Sequence, residues 1–361
     1  MTGKKNIIID LLTREWLLIG SLAGLITSSV YLHSLPHISK ADIGILFLLL
    51  SLFVTVKGLE DTGFLENIAI RLNGNSFVAL KLILITFFAS MIFTNDAALI
   101  IIVPITLKLR LPHIGNLVIF ESLAANAGSA LTPFGNPQNL YIYWYYGLGP
   151  KAFFSAILPF SLTFLGILVL CGLFFFNKEY DSSLSTKKYT INLKILFYLI
   201  SNLLVILTIL KVIPFITLIG VMLLIAVFDL SCFRIDYGLL LTMLCFLGLS
   251  ENMKIIFESL IEHSDHIFLL SSLSSQVISN VPAALLFSKF TSNWKALLWG
   301  TNVGGFGGLV GSLANLIAYK IYISSSRNIN ISFFTRRFVI VNYIFFVIGV
   351  GLFYLFKGYL Y

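Results

Sequence analysis

Two short polar groups interrupt apolar segments of the chain, and their side chains are of types that bind small ions. Hydroxyl and amide groups can donate hydrogen bonds to an anion, and their oxygens can coordinate a hard cation such as Na⁺. Neither group contains a lysine or arginine, so a bound anion would depend on neutral donors and helix N-termini. The two groups are Thr94-Asn95-Asp96, between apolar residues 77–93 and 97–109, and Ser279-Asn280, between 266–278 and 281–290.

Asp96 is the only carboxylate among these interruptions. An ionisable group at membrane depth is costly and suggests a function, here the binding of Na⁺ or H⁺ as a coupling ion. The alternative is a helix N-cap, in which Asp96 would satisfy backbone donors at the start of 97–109 without a role in transport. The sequence leaves both roles open.

Glycine, proline and asparagine interrupt two longer apolar segments. Residues 116–146 are broken at LTPFGNPQN (131–139), and residues 295–323 are broken at GGLVGSLAN (307–315). Proline and glycine end helices, and backbone groups freed at membrane depth persist only inside protein or beside water. We therefore expect the breaks to line a cavity, where the buried amides either contact a ligand or satisfy loose carbonyl groups.

The polar tips and the breaks together predict one substrate site flanked by two Na⁺ sites, each completed by a carbonyl freed at a glycine. The predicted Na⁺ ligands are Thr94, Asn95, Asp96 and Gly135 in the first half, and Ser279, Asn280 and Gly311 in the second. The candidate substrate- and ion-binding residues are Thr94, Asn95, Asp96, Asn126, Thr132, Gly135, Asn136, Asn139, Ser279, Asn280, Asn302, Gly311, Ser312 and Asn315.

The composition predicts an all-α polytopic membrane protein that positions these residues. Of the 361 residues, 58% are hydrophobic and 11% charged, whereas a soluble domain carries about 25% charged residues. Nine spans are expected, with 77–109 and 266–290 as re-entrant helical hairpins that enter and leave on the same side. No motif of a hydrolase, nucleotide-binding protein or metal site is present, so neither an enzyme nor a cofactor is expected.

The two halves of the chain match each other. At an offset of 176, Asn126 falls on Asn302, Gly135 on Gly311 and Asn139 on Asn315, and at an offset of 185, Asn95 falls on Asn280. We predict one membrane domain over 1–361, with a first repeat at 41–176 and a second at 236–361. Residues 177–235 would supply a connecting loop and two linking spans. An odd number of crossings between the repeats makes the second inverted, a pattern that marks midplane binding sites in secondary transporters.

Charge predicts the orientation in the cell membrane. The net charge is +8, which we interpret as lysine and arginine retained on the cytoplasmic side and not as nucleic-acid binding. The N-terminus, with Lys4, Lys5 and Arg14, is expected in the cytoplasm.

Four motifs carry a resemblance to a known family. They are TNDAALIIIVPI (94–105), SALTPFGNPQNLYIY (129–143), SNVPAALL (279–286) and GTNVGGFGGLVGSLANLIAY (300–319). The chain resembles the citrate-transporter-like ion transporter superfamily, which includes divalent-anion/sodium symporters, arsenite permeases and a sodium/proton antiporter branch. Thr132 and Gly135 lie in a T-x-x-G-N-x-x-N pattern similar to the family's break motif. At the tips, Asp96 and Val281 replace the third residue of the symporters' Ser-Asn-Thr, which brings the first tip closer to the arsenite and antiporter branches.

The resemblance implies an ion-coupled secondary transporter that moves a small anion, a di- or tricarboxylate or an inorganic oxyanion, with Na⁺ or H⁺. It implies elevator-like alternating access on a scaffold that forms a homodimer. The alternatives are a Na⁺/H⁺ antiporter and an arsenite-type permease.

Overall fold

A computed structural model describes residues 15–64, 77–109, 113–175, 192–257, 266–325 and 330–360. Within these ranges the chain forms α-helices, one 3₁₀ turn (Leu230–Phe233) and no strand, as predicted. The α-helices are α1 (Trp16–Leu32), α2 (Lys40–Asp61), α3 (Val78–Phe93), α4 (Asn95–Lys108), α5 (Ile114–Ser129), α6 (Pro137–Tyr145), α7 (Pro150–Phe175), α8 (Leu193–Ile209), α9 (Ile216–Phe228), α10 (Tyr237–Phe257), α11 (Ile267–Ile278), α12 (Asn280–Ser288), α13 (Trp294–Gly304), α14 (Leu313–Ile323) and α15 (Ile331–Leu360).

Several helices are long and apolar enough to cross a membrane. Among the described residues, α2, α7, α10 and α15 each meet this condition alone by length and composition, and shorter apolar helices accompany them. Large apolar side chains cover the outer surface, with Val30 of α1, Leu223 of α9 and Leu355 of α15 more than half exposed. Such a surface suits lipid and not water. The chain is therefore a multi-pass membrane protein, while the count of nine spans stays a prediction.

The two predicted helical hairpins are present. Thr94 alone separates α3 from α4, and Ser279 alone separates α11 from α12. Both residues have a positive φ, 76° at Thr94 and 71° at Ser279, a backbone region that side chains with a Cβ rarely adopt. In each hairpin the two arms pack against each other. Their re-entry into the membrane stays a prediction.

Both predicted helix breaks are also present. The first lies between α5 and α6, where Pro137 takes the first helical position and Asn136 is the N-cap. The second lies between α13 and α14, where Ser312 is the N-cap. Gly135 is required at the first break because a Cβ there would lie 2.3 Å from the carbonyl oxygen of Ser129.

The helices that follow the breaks cross to the opposite half of the chain. Each hairpin packs on the helix before the break of its own half, α3 and α4 on α5, and α11 and α12 on α13. By contrast, α6 packs on α12 and α13 as well as on α2 of its own half, and α14 packs on α4 and α5. The two halves thus interlock, and the buried apolar side chains of both form one continuous main core.

The predictions that depend on the N-terminal charges and on most of the connecting loop lie outside the described residues. Lys4, Lys5 and Arg14 belong to 1–14, and the loop between α7 and α8 corresponds to 176–191. The cytoplasmic N-terminus and the inverted orientation of the second repeat therefore stay predictions.

Candidate functional site

Both hairpin tips and both breaks line one cavity of about 410 Å³, a size typical of small-molecule sites. The N-termini of four helices, α4, α6, α12 and α14, border it. Residues of α1 and α10 also line it. The polar residues at the four N-termini are Asn95 and Asp96 of α4, Gln138 of α6, Ser279 and Asn280 at α12, and Ser312 at α14.

The same backbone hydrogen bond joins tip and break in each half. The N–H of Asn95 donates to the carbonyl oxygen of Gly135 at 3.0 Å, and the N–H of Asn280 donates to that of Gly311 at 3.1 Å. We call these pairings the first and second junctions. Because a carbonyl oxygen has two lone pairs, each can accept this bond and still coordinate an ion, so the expected Na⁺ ligation by Gly135 and Gly311 stays a prediction. Each already accepts a hydrogen bond and holds a hairpin tip in place.

Thr94, and not Asp96, is the N-cap of α4. Its hydroxyl accepts a hydrogen bond from the N–H of Ala97 at 3.4 Å. The side-chain oxygen of Asn95 accepts from the N–H of Asp96 at 3.0 Å. The carboxylate of Asp96 takes no part in this capping, and its Oδ1 is buried without a hydrogen-bond partner. The sequence left two roles open for Asp96, helix capping and binding of a coupling ion. Thr94 performs the capping.

The other three N-termini each have a backbone donor without a described partner, in a residue that lines the cavity. A helix leaves its first N–H groups without intrahelical partners, and within the described residues we find no hydrogen bond to the N–H of Gln138, Val281 or Leu313. All three residues line the cavity. The positive ends of α6, α12 and α14 therefore face one space, an arrangement that favours an anion.

The four predicted asparagines inside the helices brace the breaks and do not line the cavity. The amide of Asn139 donates to the carbonyls of Ala130 and Thr132, and its oxygen accepts from Asn302 at 2.8 Å. In the matching arrangement, Asn315 donates to carbonyls of the second break and accepts from Asn126 at 2.8 Å. Each pair joins the two halves.

Three more candidates support the breaks. The hydroxyl of Thr132 donates to the carbonyl of Met91 at 2.7 Å, which ties the first break to α3. Asn136 caps α6. Ser312 caps α14 through the N–H of Ala314 and donates to Asn126, so it both lines the cavity and braces it. Of the predicted residues, only Asn95, Asp96, Ser279, Asn280 and Ser312 line the cavity.

Several cavity residues were not predicted. Gln138 lies inside the break motif LTPFGNPQN, which is a local signal for it; its side chain is 1% exposed and its Oε1 has no partner. Glu15, Asp236 and Lys320 also line the cavity. Glu15 and Asp236 come from the N-terminal end of α1 and the segment before α10, where no repeat motif marks them.

A second buried carboxyl group, Glu121, lies in the middle of α5. It is completely buried, accepts a hydrogen bond from the hydroxyl of Thr106 on α4, and has no partner at Oε2. It is not among the residues that line the cavity. A glutamate inside an apolar segment is a signal that the sequence offers and that the predictions overlooked.

Comparison with known proteins identifies the family. A family model described as "Citrate transporter" matches residues 7–299. The chain belongs to the citrate transporter family. Among its relatives, an uncharacterized transporter of Methanocaldococcus jannaschii is 33% identical over 317 residues, covering 84% of this chain and 85% of the relative. The inner membrane protein YbiR of Escherichia coli is 32% identical over 295 residues, or 75% and 77% of the two chains.

A more distant similarity links the chain to a silicon efflux transporter of Oryza sativa subsp. japonica. The two proteins are 31% identical over 177 residues, which cover 45% of this chain and 36% of the relative. The citrate transporter family and its transporter-named relatives confirm the predicted superfamily and the prediction that the chain is not an enzyme.

Proposed function

We propose that the protein is a secondary transporter that moves a small anion together with a coupling cation, Na⁺ or H⁺. The observation that carries this proposal is that residues with two kinds of unsatisfied group line one cavity. The N–H groups of Gln138, Val281 and Leu313 at three helix N-termini suit an oxyanion. The unpartnered carboxylate oxygen of Asp96 suits a cation.

The charges around the cavity give a reason for coupling. The described residues that line it include the carboxylates Glu15, Asp96 and Asp236 and the ammonium group of Lys320. An anion alone would be repelled by this acidic surround, although the helix N-termini offset part of the repulsion. A cation bound at Asp96 would remove one negative charge and so favour binding of the anion.

The proposed mechanism is elevator-like alternating access. The hairpins α3–α4 and α11–α12 and the broken helices would move as one body, because the junctions and the asparagine pairs hold them together. The remaining helices would form a scaffold that dimerises. The repeats would be inverted in the cell membrane, with the N-terminus in the cytoplasm.

Reconstituted vesicles test the proposal. Purified protein should accumulate a labelled small anion, either a tricarboxylate or an inorganic oxyanion, when an inward Na⁺ or H⁺ gradient is imposed. Uptake should saturate and should collapse when an ionophore dissipates the gradient. Anion flux of equal size without any cation gradient, or no anion flux across the panel, would contradict anion symport.

A second candidate is cation exchange without an anion, as in the antiporter branch. Asp96 favours it, since one carboxylate can carry Na⁺ and H⁺ in turn. In the same vesicles, dequenching of a pH dye on Na⁺ addition without any anion would identify the exchanger. An arsenite-type permease is a further alternative, because a relative is named a silicon efflux transporter. Adding arsenite and silicic acid to the solutes tested in the vesicles would reveal such an activity.

A further inference from the structure

A second cavity, of about 320 Å³, lies where three helices end. The start of α5, the end of α7 and the first turns of α15 line it. Both α7 and α15 are long and apolar enough to cross a membrane, and the ends of such helices mark its surface. The second cavity therefore lies near the level of the lipid headgroups, and it shares no lining residue with the cavity between the hairpin tips.

One part of the second cavity is apolar and borders the outer surface. Its apolar lining residues are Ile119, Phe120, Phe175 and Val341. Phe175 is 72% exposed, and exposed apolar side chains of a membrane protein contact lipid. Phe120 stacks on Phe175 and meets Phe345 of α15 edge to face, in both cases with ring centroids 6.4 Å apart. Aromatic packing thus joins the three helices and keeps an apolar pocket beside the acyl chains of the bilayer.

The other part of the second cavity carries positive charge. It is lined by Arg337, His113 and Asn116, and no aspartate or glutamate is among the described residues that line the cavity. Arg337 is exposed, and within the described part of the chain its guanidinium makes no hydrogen bond, ion pair or aromatic contact. Such a planar fork of donors matches the oxygens of a phosphate, and the side chains of His113 and Asn116 can add donors. His113 is also the N-cap of α5, and the positive end of a helix favours an anion.

We propose that the second cavity binds one anionic phospholipid from the bilayer. Arg337 and the N-terminus of α5 hold its phosphate, and part of an acyl chain lies against Phe120 and Val341. Opposite charge selects this partner, since basic pockets between membrane helices bind anionic headgroups. A free phosphate would leave the apolar part unused, and a phosphatidylcholine would bring a second positive charge to Arg337.

The bound lipid bridges the two halves of the chain. It touches α5 of the first half and α15 of the second, which already pack on each other and on α7. The lipid should therefore stabilise the native protein. This inference does not rest on the proposed transport function.

Thermal unfolding of the purified full-length protein, stripped of lipid, tests the site without any transport. Phosphatidylglycerol or phosphatidylcholine with the same acyl chains is titrated into the detergent micelles, and the melting temperature is followed at constant ionic strength. A ligand that binds only the native state raises its stability as the ligand concentration exceeds the Kd. The half-saturating mole fraction should be at least about fivefold lower for phosphatidylglycerol than for phosphatidylcholine, which corresponds to about 1 kcal/mol. Inorganic phosphate alone should not raise the melting temperature.

Arg337→Gln removes the charge and keeps most of the length of the side chain. The variant should fold like the wild type, because Arg337 is exposed and has no described partner. It should lose the preference for phosphatidylglycerol, so that the two lipids stabilise it at similar mole fractions. The matched control is Arg336→Gln, because Arg336 is also exposed but does not line the second cavity. A general attraction of basic residues to anionic lipid acts on both arginines, so Arg336→Gln should keep the preference.

Equal stabilisation of the wild type by the two lipids would overturn the proposal, and so would an equal loss of preference in Arg337→Gln and Arg336→Gln. Full stabilisation by inorganic phosphate alone would overturn it in favour of a site for a small anion. If Arg337→Gln fails to fold, native mass spectrometry of the wild type decides instead. One phosphatidylglycerol per protomer should then stay bound from an equal mixture with phosphatidylcholine. The absence of a retained lipid, or of a preference between the two, would overturn the proposal.

Discussion

Asp96 differs from the polar residues around it because it is not used by the fold. Thr94 caps α4, Asn95 supports the same turn, and the backbone of Asn95 binds Gly135. The carboxylate oxygen Oδ1 of Asp96 is buried with no partner. A substitution there should therefore change ion binding more than folding.

We expect Asp96→Asn to abolish the dependence of transport on a cation gradient while expression and membrane insertion remain normal. The amide keeps the size of the side chain but removes the charge that a cation requires. Gradient-driven uptake in vesicles measures the effect. Asp61→Asn is the control, since Asp61 pairs with Lys57 at 2.9 Å at the end of α2, away from the cavity. Unchanged coupling in Asp96→Asn would refute the role of Asp96.

Glu121 depends on one hydrogen bond from Thr106. Thr106→Val removes that donor and leaves a completely buried carboxyl group without a described partner, so the free energy of unfolding should fall by about 1–3 kcal/mol. Denaturant titration in detergent measures it. Thr86→Val is the matched control, because the buried hydroxyl of Thr86 bonds only to the carbonyl of Leu82 in its own helix. An equal loss in both variants would show that Glu121 does not need Thr106.

At the scale of elements, glycines allow each hairpin to approach the helix before the break. A Cβ at Gly128 of α5 would lie 2.1 Å from the carbonyl oxygen of Phe87 on α3. A Cβ at Gly304 of α13 would lie 2.5 Å from the Cβ of Ser275 on α11. The same offset that aligns the asparagines aligns these two glycines. Both close contacts therefore belong to the repeated architecture.

Gly128→Ala and Gly304→Ala should each destabilise the protein and reduce transport, because backbone or side chains must move apart to admit the methyl group. The control is Gly351→Ala in α15, where nothing lies within 4 Å of the added carbon. That change should be neutral or stabilising by up to about 1 kcal/mol, since alanine favours a helix over glycine. Melting temperature and vesicle uptake measure the effects. A harmless Gly128→Ala would mean that α3 and α5 do not pack this closely.

At the scale of the whole molecule, an ion pair between described residues joins a hairpin to the proposed scaffold. Lys289, at the end of α12, lies 2.6 Å from Glu251 of α10. If the hairpin moves relative to α10 during transport, this contact must break and re-form. The pair thus offers a way to stop the proposed movement.

In a double variant that carries Glu251→Cys and Lys289→Cys, a bifunctional thiol reagent with a reducible linker can join the two positions. We expect the cross-linked protein to lose transport. Adding reductant should restore it. The single variants, treated alike, control for the native cysteines 171, 232 and 245. Full transport by the cross-linked protein, with cross-linking verified by mass spectrometry, would contradict movement of α12 against α10.

The sequence predicted the hairpins and breaks because their signals are local. Polar residues between apolar segments mark Thr94 and Ser279, and proline and glycine mark the breaks near Pro137 and Gly311. It did not predict that Thr94 would cap α4. Threonine and aspartate are both common N-cap residues, so the sequence alone could not decide between Thr94 and Asp96.

Long-range contacts were beyond local reasoning. The bond between Asn302 and Asn139 spans 163 residues. The entry of Glu15 and Asp236 into the cavity depends on how α1 and α10 pack. The spacing of residues along the chain predicts neither the Asn302–Asn139 bond nor the position of Glu15 and Asp236. The matching offsets indicated only which asparagines are equivalent in the two halves.

The interlocked halves have a consequence for biosynthesis. The ribosome completes Asn126 and Asn139 well before Asn315 and Asn302, their partners, are translated. In that interval the first half lies in the bilayer while α6 lacks α12 and α13, two of the helices on which it packs. Until the second half is made, the side-chain amides of Asn126 and Asn139 need other hydrogen-bond partners, from water or from the insertion machinery. During this time the quality-control machinery can recognise unfinished chains.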